Sequence, residues 1–282
     1  MPQVNFSLVI PTRNRAEALV LTLEHLTRQE YPIDQFEVVV VDDGSQDATP
    51  EVLERYAQVM PLRSFRQPPQ GTSRARNRAI HEARGKFVVF IDDDVFAPAD
   101  FLIRHANWLK RYPAGLIRGP VVNVSEPMLP PLPVLRQPWQ HFSQNYLCTS
   151  NASLSRDTLL RSGLFDPDFG RWEDAELGIR LKKLGVVRHF DSETYVYHWK
   201  PPVDPAGRLE TARRDGAAAA QLYQRYPSLR LWLRSGLHLG NRVKNQLLQA
   251  LDPLMPSSLR QWRELEAAYL RSGWQELSKE AP

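Results

Sequence analysis

Asp92, Asp93 and Asp94 stand side by side directly after the apolar run FVVFI at 87–91. Along an extended chain, residues two apart point the same way, so Asp92 and Asp94 can face one ligand while Asp93 faces away. Carboxylate oxygens suit Mg2+ or Mn2+, ions that typically take one or two protein carboxylates plus substrate phosphates. The bland reading is a solvated turn that caps the next helix. Three adjacent carboxylates repel one another, so a turn gains little from them without a cation, and the metal reading is favoured.

Other polar clusters also follow strands or open helices. The run DDGSQD at 42–47 follows the β-branched stretch at 36–41. Gly44 allows a tight turn, and Asp47 or Thr49 can cap the next helix. A carboxylate there could instead accept hydrogen bonds from a uracil N–H or from ribose hydroxyls. GTSRARN at 71–77 opens a helix whose backbone N–H groups and two arginines suit a diphosphate, although an ordinary capped helix reads the same way. Trp172-Glu173-Asp174 precedes a further helix. Acidic residues in a first helical turn are commonly caps. Functionally, Asp174 would be a general base that the helix dipole keeps ionised at neutral pH. His198 is either a structural residue at a strand end or an imidazole ligand to the same metal, which would favour Mn2+.

The elements that must position these groups alternate. Strands are expected at 6–10, 36–41, 62–66 and 87–91, and helices at 15–29, from about 50, at 73–83 and at 98–112. That alternation over the first 115 residues predicts a doubly wound α/β fold with a mostly parallel sheet, whose ligands sit at the carboxyl ends of the strands. PTRN, DDGSQD and DDD all fall at such ends. Further on, 116–124 reads as one strand, 126–138 as a proline-rich loop or lid, 157–163 and 173–184 as helices, and 186–190 and 194–197 as strands. From 208 onward the pattern is helical and basic.

With 282 residues and 42% hydrophobic content, the chain can bury one α/β domain with an appended element. The net charge of +4 suits anionic ligands. Cys148 is the only cysteine, which excludes an internal disulfide and fits a reducing compartment. No run approaches eighteen apolar residues. The expectation is a cytoplasmic protein, soluble or peripheral on the inner membrane face. The basic segment 229–249 could lie on an anionic membrane, but a helix packed on the protein with a solvated basic face is the favoured reading.

Read together, VIPTRN at 9–14, VVDDGSQD at 40–47, GTSRARN at 71–77, FIDDDV at 90–95 and GRWEDAELGIRLKKLG at 170–185 resemble the family 2 glycosyltransferases of GT-A fold, in the family's order and across residues 4–200. The resemblance implies an inverting transfer of a sugar from a nucleotide-diphosphate donor, UDP by default, with Mn2+ or Mg2+. It implies that Pro11, Thr12 and Asn14 border the base, that Asp43 contacts it, and that Arg76 lies near the donor. Asp92 would lie near the ribose, with Asp93 beside it on the donor side. Asp94 would bind the metal, with His198 as a third ligand. Asp174 would be the catalytic base. Glu173 would contact the acceptor or orient its loop, Trp172 would stack on an acceptor sugar, and Asn151, in the segment SNAS at 150–153, would lie beside the acceptor site.

The implied layout is a catalytic domain at 1–205, with a nucleotide-binding half (1–115) and an acceptor half (116–205), and a helical extension at 206–282. The acceptor would be a saccharide, a lipid-linked sugar or a small molecule. No nucleic acid is expected, and oligomeric state is not readable. The loop at 126–138 matches no family motif. A nucleotidyltransferase is the rival enzyme, but PTRNRAE lacks the glycine-rich phosphate loop it would need. A non-catalytic nucleotide-sugar-binding module is the rival from another class, and the intact set Asp92, Asp94 and Asp174 argues against it. GxxxxGK[ST] and GxGxxG are both absent.

Overall fold

The computed structural model describes residues 4–127, 146–252 and 255–279. The described chain divides into two compact units, residues 1–168 with 173–201, and residues 169–172 with 202–282.

The first unit is built on a seven-stranded sheet ordered β3-β2-β1-β4-β8-β6-β9. Its parallel half comprises β1 (Phe6–Thr12), β2 (Phe36–Asp42), β3 (Leu62–Arg66) and β4 (Phe87–Phe90). β1 pairs in parallel with both β2 and β4, and β2 with β3. Helices α1 (Ala16–Leu26), α2 (Thr49–Ala57), α3 (Thr72–Glu82) and α4 (Phe101–Arg111) connect or follow these strands. β1 and β2 are buried along their whole length because both faces are covered. Leu8, Ile10, Val38 and Val40 join one core cluster with Leu19, Leu23 and Phe101. Val9, Val39 and Val41 join the other with Ala75, Ala79 and Ile80 of α3. This period-two alternation assigns one helical layer to each face. The chain steps from β1 to β2 and β3, then returns to lay β4 on the other side of β1. The strand order reverses between β1 and β4, and in sheets of this kind ligands bind at the carboxyl ends of that pair.

The segment at 116–124, expected as one strand, is two. β6 (Leu116–Arg118) pairs with β8 (Ala152–Ser155) and β9 (Arg188–Phe190) in the large sheet. β7 (Val121–Val124) pairs with β10 (Val196–Trp199) in a second, three-stranded sheet completed by β5 (Val95–Phe96). The switch falls at Gly119-Pro120. A Cβ on Gly119 would lie 1.5 Å from the Thr194 carbonyl oxygen, so only glycine admits that approach. β8, unexpected from sequence, is antiparallel to both β4 and β6. Helices α5 (Arg156–Arg161) and α6 (Glu173–Lys183) fall within two residues of expectation at each end. The expected loop at 126–138 lies, from residue 128, outside the described residues.

The second unit is helical: α7 (Pro205–Arg225), α8 (Leu229–Ser235), α9 (Leu239–Ala250) and α10 (Ser257–Ser278). The basic segment read as one helix is broken in two at Gly236, whose φ is 71°. α7 and α10 pack backbone to backbone where a Cβ on Gly216 would meet the Tyr269 carbonyl at 2.0 Å. Buried Ala219, Ala220, Leu237 and Leu270 form the small core of this unit.

Replacing Gly119 with alanine forces Thr194 away and breaks the strand switch. The expected cost is about 2–4 kcal/mol, read as a fall of roughly 5–12 °C in the thermal midpoint.

Candidate active site

The site forms where β1, β4 and β10 end together. β4 delivers the acidic triplet, β1 delivers Thr12, and β10 delivers His198, which pairs with Val95 across the small sheet. Each carboxylate of the triplet has its own partners. Asp92 accepts from Arg76 Nη2 at 2.8 Å and from the Ser150 hydroxyl at 2.6 Å. Asp93 accepts from the Thr12 hydroxyl at 2.7 Å and faces Arg15 Nε at 3.2 Å. Asp94 accepts from Arg15 Nη2 at 2.7 Å and lies 2.8 Å from His198 Nε2.

Asp93 stands outside the cluster that Asp92 and Asp94 form with His198 and turns into the protein. It is buried and ties the end of β1 to the end of β4, and the Thr22 hydroxyl also donates to its carbonyl. Burial pushes its carboxyl up to about 7 against the opposing pull of Arg15. For Asp92, burial acts in the same direction, but Arg76, His198 and Ser150 outweigh it and hold the carboxyl below its usual value.

Asp92, Asp94 and His198 each offer one ligand atom, and these atoms lie within 4.8 Å of one another. Two carboxylate oxygens and an imidazole nitrogen suit Mn2+ better than Mg2+, which takes oxygen ligands. Asp92, assigned to the ribose by resemblance, thus shares this cluster with Asp94.

Arg76 is buried on α3 and spans two elements. Its Nη1 lies 2.5 Å from Glu173 Oε1 on α6, while Nη2 holds Asp92. Asp174, next to Glu173, is partly buried. Burial pushes its carboxyl up to about 7, and the Glu173 charge adds to this against Arg76. The expectation that the helix dipole keeps Asp174 an ordinary ionised carboxylate is corrected: desolvation and a like charge outweigh it.

Asn151 and Trp172 sit otherwise than expected. Asn151 is fully buried, and its amide donates to the carbonyls of Pro120 and Thr194 while its oxygen faces His105. It braces the strand switch and has no surface to offer an acceptor. Trp172 belongs to the second unit, where it packs against the α7 and α10 core and its indole N–H donates to Asp215 at 3.3 Å. Asp43 accepts from Gln67 Nε2 and from the backbone N–H groups of Gln70 and Gly71 at 2.8–2.9 Å, so it organises the loop that starts α3. Asn14, at φ 52°, accepts from the Gln46 N–H through its side-chain oxygen, and its own backbone N–H donates to the Ser45 hydroxyl, joining the PTRN and DDGSQD loops. Pro11 is buried at the end of β1. Arg15 and Ser150 hold the triplet from the sides; Ser150, in the SNAS segment expected beside the acceptor site, instead donates to Asp92, and Arg15 carries no such motif. The only local signal for Arg15 is its place in the TRNR run after β1.

The model of glycosyl transferase family 2 matches residues 7–153, just over half of the chain. The chain belongs to that family. Validoxylamine A glucosyltransferase of Streptomyces hygroscopicus subsp. jinggangensis is 30% identical over 230 residues, covering 67% of this chain and 54% of that protein. Poly(ribitol-phosphate) beta-N-acetylglucosaminyltransferase TarS of Staphylococcus aureus is 37% identical over 116 residues, covering 40% of this chain and 20% of that protein. The chain thus spans about half of the first relative and a fifth of the second. Among solved structures, mannosyltransferase PcManGT from Pyrobaculum calidifontis, in complex with GDP-Man and Mn2+, superposes with a TM-score of 0.72 at 21% identity over 100% of this chain and 89% of that one. S. aureus TarS 1-349 superposes at 0.61 and 19% identity, covering 98% and 92%. These likenesses establish the GT-A fold.

Two outcomes follow from this geometry. Titration with Mn2+, followed by the loss of free-ion EPR signal, should show His198→Ala and Asp94→Asn binding the ion at least about tenfold more weakly than wild type, since even outer partners of a metal site cost that much. The raised Asp174 carboxyl also sets a sign for stability. Its proton stabilises the fold fully below about pH 4, and that contribution is lost as pH rises through about 7. Asp174→Asn should therefore raise the thermal midpoint at pH 8 by roughly 3 °C or more and leave it nearly unchanged at pH 4.

Proposed function

We propose that this chain transfers a sugar, with inversion, from a nucleoside-diphosphate donor to an acceptor hydroxyl, with Asp174 as the general base. One observation carries the reading. A Mn2+-type donor set of Asp92, Asp94 and His198 lies at the topological switch point, and Arg76 links it directly to the residue beside a carboxylate raised to about 7. A general base works best when its pKa lies near the working pH, and Asp174 meets that condition.

Asp92, Asp94 and His198 would hold a divalent cation, which supplies charge neutralisation to the leaving diphosphate. Arg76 is committed to Asp92 and Glu173, so its part is to set the distance between the donor carboxylates and the start of α6. Glu173 in turn keeps the Asp174 carboxyl high. Asp174 takes the acceptor proton as the hydroxyl attacks the face of the sugar opposite the leaving group, which gives inversion in one displacement. On the donor side, Pro11, Thr12, Asn14 and Asp43 border the base. The relatives' names, a glucosyltransferase and an N-acetylglucosaminyltransferase, fit a sugar donor. UDP is the nucleotide we assign. A reducing, cytoplasmic setting suits a chain whose one cysteine is Cys148.

The test is release of UDP from UDP-glucose or UDP-N-acetylglucosamine with Mn2+, with water as the surrogate acceptor. Asp174→Asn should lose at least about 100-fold in kcat with donor KM unchanged. Wild-type kcat should climb with pH and level off above about 7, because the base must be deprotonated. An unchanged kcat in the variant, with donor binding intact, removes Asp174 from this role.

A further inference from the structure

The helical unit carries a surface that the reaction does not use. On α9, Leu239, Val243 and Leu247 follow one another four residues apart, and Leu251 at its C-cap continues the row. Leu259 and Trp262 of α10 are also outward-facing. All six side chains are between 48% and 66% exposed. Side chains four apart stack along one helix face, so Leu239, Val243, Leu247 and Leu251 form a continuous aliphatic stripe about 18 Å long. Single exposed leucines are ordinary on a protein surface, whereas a stripe of this kind marks a contact face.

The charges around the stripe select its occupant. Residues 229–251 contain Arg230, Arg234, Arg242 and Lys244 and no aspartate or glutamate. Arg242 and Lys244 flank Val243. The guanidinium of Arg242 lies over the Trp274 ring at 5.2 Å, and the ammonium of Lys244 over the Trp262 ring at 5.3 Å. The acids nearest α9 are already paired: Asp252 with Arg263, and Glu266 with Lys244. Between α9 and α10 a cleft of about 510 Å³ is lined by Arg242, Arg271 and Trp274 together with glutamine amides, which adds a second guanidinium beside the stripe. A second copy of this chain would bring the cations of one α9 against those of the other across a two-fold axis, and α9 itself carries no acid to answer them. No helix among the described residues is long and apolar enough to cross a membrane. Aliphatic residues on one face, cations at both edges and an indole beside them are what a helix lying in the plane of an anionic bilayer requires.

We propose that the α9 face, with Leu259 and Trp262 of α10, docks this chain onto an anionic lipid surface, its aliphatic side chains among the acyl chains and Arg242, Lys244 and Arg271 at the phosphates. This reverses the preference for a merely solvated basic face and is independent of the sugar-transfer reading.

The test is co-sedimentation of the full chain with vesicles of phosphatidylglycerol and phosphatidylcholine, and with phosphatidylcholine alone. Wild type should pellet with the anionic vesicles, bind phosphatidylcholine at least about tenfold more weakly, and be released by high salt. Trp262 fluorescence should shift to the blue on binding. Val243→Asp/Leu247→Asp and, separately, Arg242→Glu should each weaken binding about tenfold or more. All of these side chains are exposed, so thermal midpoint and UDP release should stay at wild-type values. Failure of wild type to bind anionic vesicles overturns the proposal, as does binding indifferent to both variants. A concentration-dependent dimer abolished by Val243→Asp/Leu247→Asp, without vesicle binding, overturns it in favour of self-association.

Discussion

Three consecutive carboxylates at the end of one buried strand are tolerable only if positive charge and donors reach them from elsewhere in the chain. Uncompensated, such charges would repel one another and pay a desolvation penalty as well. The first unit solves this with groups from four separate stretches. Arg76 comes from α3, Arg15 from the turn after β1, His198 from β10, and Ser150 from the turn before β8. Thr12 completes the set by donating to Asp93. Each of these stretches is positioned by the sheet, so the strand order and the charge balance depend on each other. Removing the reversal of strand order between β1 and β4 would leave the triplet with nothing to meet.

Much of this was legible from residue types. The continuous runs at β1, β2 and β4 are buried on both faces, and their β-branched composition announces it. The helices that follow carry apolar residues at helical spacing. What could not be read is long-range. The run at 116–124 has unbroken strand character, and its division at Gly119 depends on a carbonyl contributed by Thr194. β8 has the sequence ASLS, with two serines in four residues, and is a strand only because β4 and β6 flank it.

The site divides in the same way. The acidic triplet, Asp174 and His198 stand out because their types are chemically loud. Arg15 does not, because its carboxylate partner lies 79 positions away and arginine is common on surfaces. Asn151 sits in a motif that suggests a ligand, yet its amide is consumed by two backbone carbonyls that bring the strand switch and the β10 approach together. The ionisation of Asp174 depends on burial and on the charge beside it. Position in a helix could suggest only the opposing dipole effect.

Asp43 couples parts of the molecule that the chain order separates. Its carboxylate holds Gln67, Gln70 and Gly71, and Gly71 is the residue from which α3 starts. α3 carries Arg76, which grips Asp92 at one end and Glu173 at the other. A hydrogen-bonding group that took an oxygen of Asp43 would draw on the same lone pairs that pin the α3 loop. The helix therefore works as a lever: its start is latched by one carboxylate, and Arg76 along it fixes the spacing between two others, Asp92 and Glu173, which lie 16 and 97 positions from it in sequence.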